Sequence, residues 1–176
     1  MTTRQGFIAG FFAAIVGLFA GCVGIPEGLQ PVKNFDITRY LGTWYEIARF
    51  EHSFEKGLVN VKAEYSLRDD GGITVVNSGY DPDKKIWKEA KGKGYFVESP
   101  DIGRLKVSFF GPFYGAYNIL VLDENYRYAL VCGPTRNYLW ILSRTPTMDE
   151  AIKADLIQKA ANMGFDMSKI ILVKQE

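Results

Sequence analysis

The sequence predicts an all-β fold, an eight-stranded antiparallel up-and-down barrel with one C-terminal α-helix packed outside it. Three observations predict this. Eight short runs rich in β-branched and aromatic residues follow one another between residues 42 and 143, joined by turn signals. One run alternates cleanly, with Val59, Val61, Ala63, Tyr65 and Leu67 against Asn60, Lys62, Glu64, Ser66 and Arg68, so one side is buried and one is wet. A helical period appears only after the last run, with Ile152, Leu156, Ala160 and Met163 on one face. The 176 residues, 47% hydrophobic and 23% charged, suit one globular domain with an appendage.

Residues 34–40 predict a short helical turn, and 42–50 the first strand, opened by Gly42. Period two places Trp44, Glu46, Ala48 and Phe50 on one face and Tyr45, Ile47 and Arg49 on the other. Trp44 at the first turn of that strand suits the plugged floor of a tapering cavity. The polar residues 51–57 form a long loop before the alternating strand at 59–67, and Asp69-Asp70-Gly71-Gly72 signals a hairpin. Strands follow at 73–80, 85–97, 105–110, 116–122, 126–132 and 138–143. They are separated at Asp81-Pro82-Asp83, Ser99-Pro100-Asp101, residues 111–115, Asp123-Glu124-Asn125 and residues 133–137. Thr147-Met148-Asp149-Glu150 reads as a capping box for the helix, which Gly164 ends, and 169–174 predicts a last strand returning to the sheet.

The first 21 residues carry one charge, Arg4, and an uncharged run from Gly6 to Gly21. A spanning helix needs about 20 apolar residues, so this run predicts a signal peptide over 1–21. Ala20-Gly21 before Cys22 resembles the bacterial lipobox, although Phe19 stands where that pattern prefers Leu. The resemblance implies an acylated, palmitate-type anchor on Cys22, and Val23 after it implies export to the outer membrane. Several acyl chains at about 0.8 kcal/mol per buried methylene hold such a protein stably. Residues 22–34, with Gly24, Pro26, Gly28 and Pro31, read as a lipidated N-terminus and flexible tether of at most about 40 Å. With Cys22 acylated, Cys132 has no partner, and no disulfide is expected.

Gly42-Thr43-Trp44, with Leu122-Asp123-Glu124-Asn125-Tyr126 and Ser143-Arg144, resembles the three signature regions of the lipocalin family, in order and at barrel-like spacing. The likeness runs from about Phe35 to Val173, giving a domain at 35–176, and with the leader the chain is similar to bacterial outer-membrane lipoprotein lipocalins. The resemblance implies a calyx closed by Arg144 stacked across Trp44. It also implies a fatty acid or lysophospholipid as ligand, for storage, transport or membrane maintenance. The location it implies is the outer membrane, anchored through Cys22, facing the periplasm of a Gram-negative bacterium.

Parity and the family register turn Ala48, Val61, Ala63, Tyr65, Val75, Asn77, Val107, Phe109, Tyr117, Ile119, Val121, Ala129, Val131, Tyr138 and Trp140 inward. An aliphatic and aromatic wall with few polar tips is the composition of a small-molecule site. The aromatic content of 14% suits it. Glu46 also falls inward, where a carboxylate must be paired or protonated, and a tyrosine hydroxyl or Arg144 is the expected partner. Phe109, Phe110, Phe113 and Tyr114 crowd the loop expected at the mouth, a surface for a bilayer or for a second copy in a homodimer.

Other classes find less support. The formal net charge is +1, with no basic run, which leaves no footprint for nucleic acid. His52 is the single histidine, and the adjacent Glu51-His52-Ser53 lacks the convergence a relay needs. No Cys/His cluster has metal-ligand spacing, Lys91-Gly92-Lys93-Gly94 precedes no helix, and no metal or cofactor is expected. Cys132 falls outward, under the helix. Two rival readings remain: a structural outer-membrane lipoprotein without cargo, and an enzyme drawing its acid and base from Glu46 and tyrosines.

Overall fold

Asp36 accepts hydrogen bonds from the amide and hydroxyl of Thr38 and so caps a one-turn helix, α1 (Ile37–Tyr40), at the base of the molecule. The computed structural model describes residues 23–175. From α1 the chain enters β1 (Gly42–Phe50), then winds through β2 (Val59–Leu67), β3 (Ile73–Asp81), β4 (Ile86–Phe96), β5 (Arg104–Phe110), β6 (Phe113–Leu122), β7 (Tyr128–Cys132) and β8 (Leu139–Ser143). Every neighbouring pair is antiparallel, and β1 pairs with both β8 and β2, so the sheet closes on itself. The expected barrel is the observed one. The β1–β2, β3–β4, β5–β6 and β7–β8 connections lie at one end, the mouth, and α1 lies at the other, the floor.

A short β9 (Ile170–Leu172) pairs with the upper half of β1, where β1 and β2 part. The Gln175 side chain donates to the carbonyls of Glu46 and Val61, each at 2.8 Å, and the Asn60 amide donates to the Lys174 carbonyl. The tail thereby seals the seam.

Two bulges correct the expected parity. The β1–β8 register jumps between Glu46 and Ala48, leaving Ile47 as the extra residue. Glu46 lies opposite Leu142 and Arg49 opposite Trp140, so Arg49 turns inward. Ala48, expected inside, turns outward with Phe50. Both join the cluster under the C-terminal helix. A second bulge at Leu120 likewise turns Val121 to that outer cluster and Leu122 to the inner one.

The helix α2 (Glu150–Asn162) is capped by Asp149, not Thr147. The Asp149 carboxylate accepts from the amides of Ala151 and Ile152, while the Thr147 carbonyl is taken by the Thr145 hydroxyl. Its face of Leu156 and Ala160 is fully buried on Phe50, Leu130, Cys132, Leu139 and Ile141. Cys132 accordingly lies under the helix, and burial pushes its thiol up to about 12.

Val23 to Asn34 does not hang free as a tether. Arg104 donates to the Val23 carbonyl, Asn118 to that of Gly24 and Arg136 to that of Glu27. Leu29 is buried in the outer cluster, and the Val32 amide bonds the Ile119 carbonyl at 2.9 Å. Three side chains distant in sequence thus satisfy a backbone that lacks its own ladder. Strand ends differ modestly from expectation. β6 starts at Phe113, leaving only Gly111-Pro112 in the turn, and β7 starts at Tyr128 because Tyr126, at φ 58, belongs to the turn held by Asp123.

Candidate functional site

The floor is built where the three motifs of the first strand, the 122–126 turn and the end of β8 converge. Trp44 is fully buried, its ring NH donates to the Tyr40 carbonyl at 2.8 Å, and the Arg144 guanidinium lies 4.1 Å over its ring. Arg144 also donates to the carbonyls of Leu41, Thr43, Arg39 and Tyr126, so one planar cation ties together both ends of the closure. The Tyr126 hydroxyl accepts from the Asp36 amide at 2.8 Å and fixes α1 beneath the barrel.

Above the floor, direct cross-strand partners share a face, which identifies the inner wall from Trp44 outward. Trp44 faces Ala63, which faces Asn77; Tyr65 faces Val75; Leu105 faces Tyr117; Ile119 faces Val131, which faces Trp140. Val107 lies opposite Gly94, and Phe109 follows two residues later on the same face. The inner side of β4 is Ala90, Gly92 and Gly94, without bulk. The ring of Phe109 fills part of that space, so close that a Cβ on Gly92 would stand 2.8 Å from it. Tyr65, Val75, Ile119 and Val131 are buried, whereas Ala63, Asn77, Val107, Tyr117 and Trp140 are only part-buried despite facing inward. The interior therefore keeps accessible surface between a packed floor and the mouth. Tyr138 precedes β8 and stands at the mouth, beside an outer cleft of about 480 Å³ shared with Phe50, His52 and Ile171.

The wall carries two polar groups of side chains. Low in the barrel, the Tyr65 hydroxyl donates to Tyr117 at 2.9 Å and the Tyr117 and Tyr40 hydroxyls lie 2.7 Å apart. Burial holds the phenols of Tyr40 and Tyr117 well above their usual range, so they stay neutral. Nearer the mouth, Arg49 is 1% exposed and donates to Glu46 Oε1 and to the Glu55 carbonyl, both at 2.7 Å. Trp140 Nε1 donates to Glu55 Oε2 at 3.2 Å. Burial first, and the neighbouring Glu55 second, push the Glu46 carboxyl up to about 8 against the pull of Arg49. Burial raises Glu55 too, and burial with Arg49 lowers His52. His52 stacks between Phe54 and Tyr138, so the 51–58 loop is pinned over one side of the opening.

Arg49, expected on the face opposite Glu46, turns inward, Glu55 went unread in the sequence, and the partner of Glu46 is Arg49 rather than a tyrosine or Arg144. A signal did exist: an inward Glu46 demanded a cation, and Arg49 stands three residues away on its own strand. His52 Nε2 is buried without a hydrogen-bond partner among the described residues, and its ring is stacked between Phe54 and Tyr138. Among the described residues no group of three or more His, Cys, Asp or Glu is placed to hold a metal.

Residues 35–175 match the lipocalin-like domain family, over most of the chain. The chain is a lipocalin. It is 59% identical over 150 residues to the outer membrane lipoprotein Blc of Escherichia coli strain K12, covering 85% of each chain. To the outer membrane lipoprotein Blc of Vibrio cholerae it is 54% identical over 160 residues, covering 90% of this chain and 94% of that one. Among solved structures, insecticyanin from the tobacco hornworm Manduca sexta superposes with a TM-score of 0.68 at 20% identity, covering 87% of each chain. That last likeness speaks to fold alone. In this lipocalin, Arg144 over Trp44 occupies the closed end and leaves the part-buried wall above as the candidate ligand surface.

Proposed function

We propose that this lipocalin is a lipid-anchored carrier of the outer membrane that takes a single-chain lipid, a fatty acid or lysophospholipid, into its barrel. The observation that carries the reading is the inward wall of Ala63, Val107, Tyr117, Ile119, Val131 and Trp140, part of which stays accessible above a sealed floor. Such a wall removes hydrocarbon from water without special chemistry. Burial of each methylene is worth about 0.8 kcal/mol, so about ten methylenes supply about 8 kcal/mol, a gross gain that sets micromolar binding as its upper limit once ordering costs are subtracted. The names of the Blc relatives, outer membrane lipoproteins, support an acylated Cys22 in the outer membrane. Arg49 donates to Glu46 Oε1 and to the Glu55 carbonyl, and Trp140 donates to the Glu55 carboxyl, so these polar groups bond to one another within the wall and a ligand's polar head is directed toward the mouth.

Native mass spectrometry of delipidated protein titrated with lysophospholipid separates this reading from its rivals. A carrier retains one intact lipid per barrel; conversion of the lipid indicates an enzyme; absence of any complex indicates a structural lipoprotein without cargo.

A further inference from the structure

The hydrogen bonds at the base of the barrel leave one donor over. Tyr40, Tyr65 and Tyr117 bring three hydroxyls together, and the two hydrogen bonds among them, at 2.9 and 2.7 Å, use two of the three hydrogens. No other acceptor among the described residues takes the third. Tyr40 and Tyr65 are buried, whereas Tyr117 keeps accessible surface on the interior wall. With Tyr40 and Tyr65 both donating to Tyr117, the spare hydrogen is presented by Tyr117 to the cavity.

A spare acceptor faces the same space. Asn77 Oδ1 is buried without a hydrogen-bond partner among the described residues. Val75 is the cross-strand partner of Tyr65, and Asn77 is the next inward residue on that strand. Such diagonal neighbours stand about 7–8 Å apart, within reach of an aromatic side chain. Asn77 is level with Trp44 through Ala63, so both spare groups sit just above the plug. Its cross-strand neighbours are Ala63 and Ala90, too small to cover the amide.

Few chemical groups answer both. The group must accept one hydrogen bond and donate another, and it must be neutral. Arg144 spends its N–H groups on four backbone carbonyls at the closed end, and Arg49 is engaged by Glu46 and Glu55 nearer the mouth. Burial keeps the phenols of Tyr40 and Tyr117 uncharged. An ionised carboxylate here would exchange its hydration for one phenol hydrogen, which does not offset its burial. An alcohol meets every condition.

We propose that the base of the cavity is a hydroxyl-recognising subsite, in which Tyr117 donates to, and Asn77 accepts from, an alcohol carried on the ligand's hydrocarbon chain. This rests on the carrier reading and deepens it. The polar head stays toward the mouth, the chain descends, and a hydroxyl remote from the head is read above Trp44. The ligand class selected is a hydroxylated acyl chain. A plain chain reaching the same depth leaves the donor and the acceptor unpaired, which is how a site built for a hydroxyl rejects the analogue that lacks it.

Isothermal titration of the delipidated protein compares palmitoyl lysophosphatidylethanolamine with isomers carrying one hydroxyl at mid-chain, near the tail or on the terminal carbon. One isomer should bind about tenfold more tightly than the plain chain, and the others no better than it. Asn77→Leu should invert that order: the preferred isomer weakens by about tenfold while the plain chain tightens by about threefold. A merely structural asparagine would weaken every chain alike. Tyr117→Phe should abolish the preference too, and it serves if the first variant does not fold. Parent protein that binds the plain chain and prefers no hydroxylated isomer overturns the subsite, leaves the carrier reading standing and assigns the spare pair to a bridging water. A preference that survives either substitution overturns the subsite as well. Failure of every chain to bind, the plain one included, overturns the carrier reading and the subsite with it.

Discussion

Replacing Arg49 by Met tests the interior network most sharply. The guanidinium is 1% exposed and makes two charge-assisted hydrogen bonds of 2.7 Å, to Glu46 Oε1 and to the Glu55 carbonyl. Methionine fills much of the volume but leaves a buried carboxyl and a buried carbonyl without donors. Breaking a buried ion pair from one side costs about 3–5 kcal/mol. Glu46 escapes part of this by keeping its proton, because it is already held up to about 8. At neutral pH the loss should therefore sit near the lower end, about 3 kcal/mol. For a domain of this size that lowers the melting temperature by about 10 °C. Glu46→Gln/Arg49→Met should recover about 1–2 kcal/mol relative to the sum of the single changes, since the two groups touch. Urea unfolding followed by near-ultraviolet circular dichroism gives all four corners of the cycle. If Arg49→Met unfolds within about 0.5 kcal/mol of the parent, or the two changes are simply additive, the inward arginine and its pairing are wrong.

Three further predictions follow from the same geometry. The folded state keeps a proton on Glu46 that the unfolded chain releases above 4.5, so stability should fall as pH rises from 4.5 to about 8, by at most about 5 kcal/mol, and then level off. Glu46→Gln should flatten that decline in a melting-temperature series across the window, and an identical slope in the variant contradicts the assignment. Leu156→Ala empties a fully buried site between α2 and the barrel and should cost about 2–4 kcal/mol in chemical denaturation; a loss under about 1 kcal/mol means the helix packs elsewhere. Cys132, fully buried with its thiol pushed up to about 12, should resist maleimide at neutral pH until urea unfolds the chain, and rapid labelling of native protein would contradict its position.

The barrel was legible because β2 has one wet face: Lys62, Glu64 and Ser66 declare the outside, so Ala63 and Tyr65 must be inside. β1 offered no such contrast. Its outer face is covered by α2 and its inner face by the interior, so Glu46 through Phe50 are all buried and nothing in the run marks Ile47 as the extra residue. That single bulge moved Ala48 out and Arg49 in, and with them the electrostatics of the upper barrel. The same blindness hid the bulge at Leu120. The 23–34 segment was misread for a different reason. Its glycines and prolines correctly exclude helix and strand, but what holds it are side chains of Arg104, Asn118 and Arg136, about a hundred residues away, and no local pattern encodes them. The floor was readable because Trp44 and Arg144 belong to recognisable motifs, while Glu55 was not, being a charged residue on a loop whose burial depends on where that loop folds.

The claim on which the function rests is that hydrocarbon enters the part-buried interior above Trp44. Isothermal titration of delipidated protein with lysophospholipids that differ only in acyl length tests it directly, beside an Ala63→Trp variant that fills the cavity from β2. The account predicts a rise in affinity of roughly threefold to fourfold per methylene, following about 0.8 kcal/mol each, up to a limiting length, and no measurable binding in the filled variant. Affinity that is indifferent to chain length, or untouched by Ala63→Trp, would contradict it.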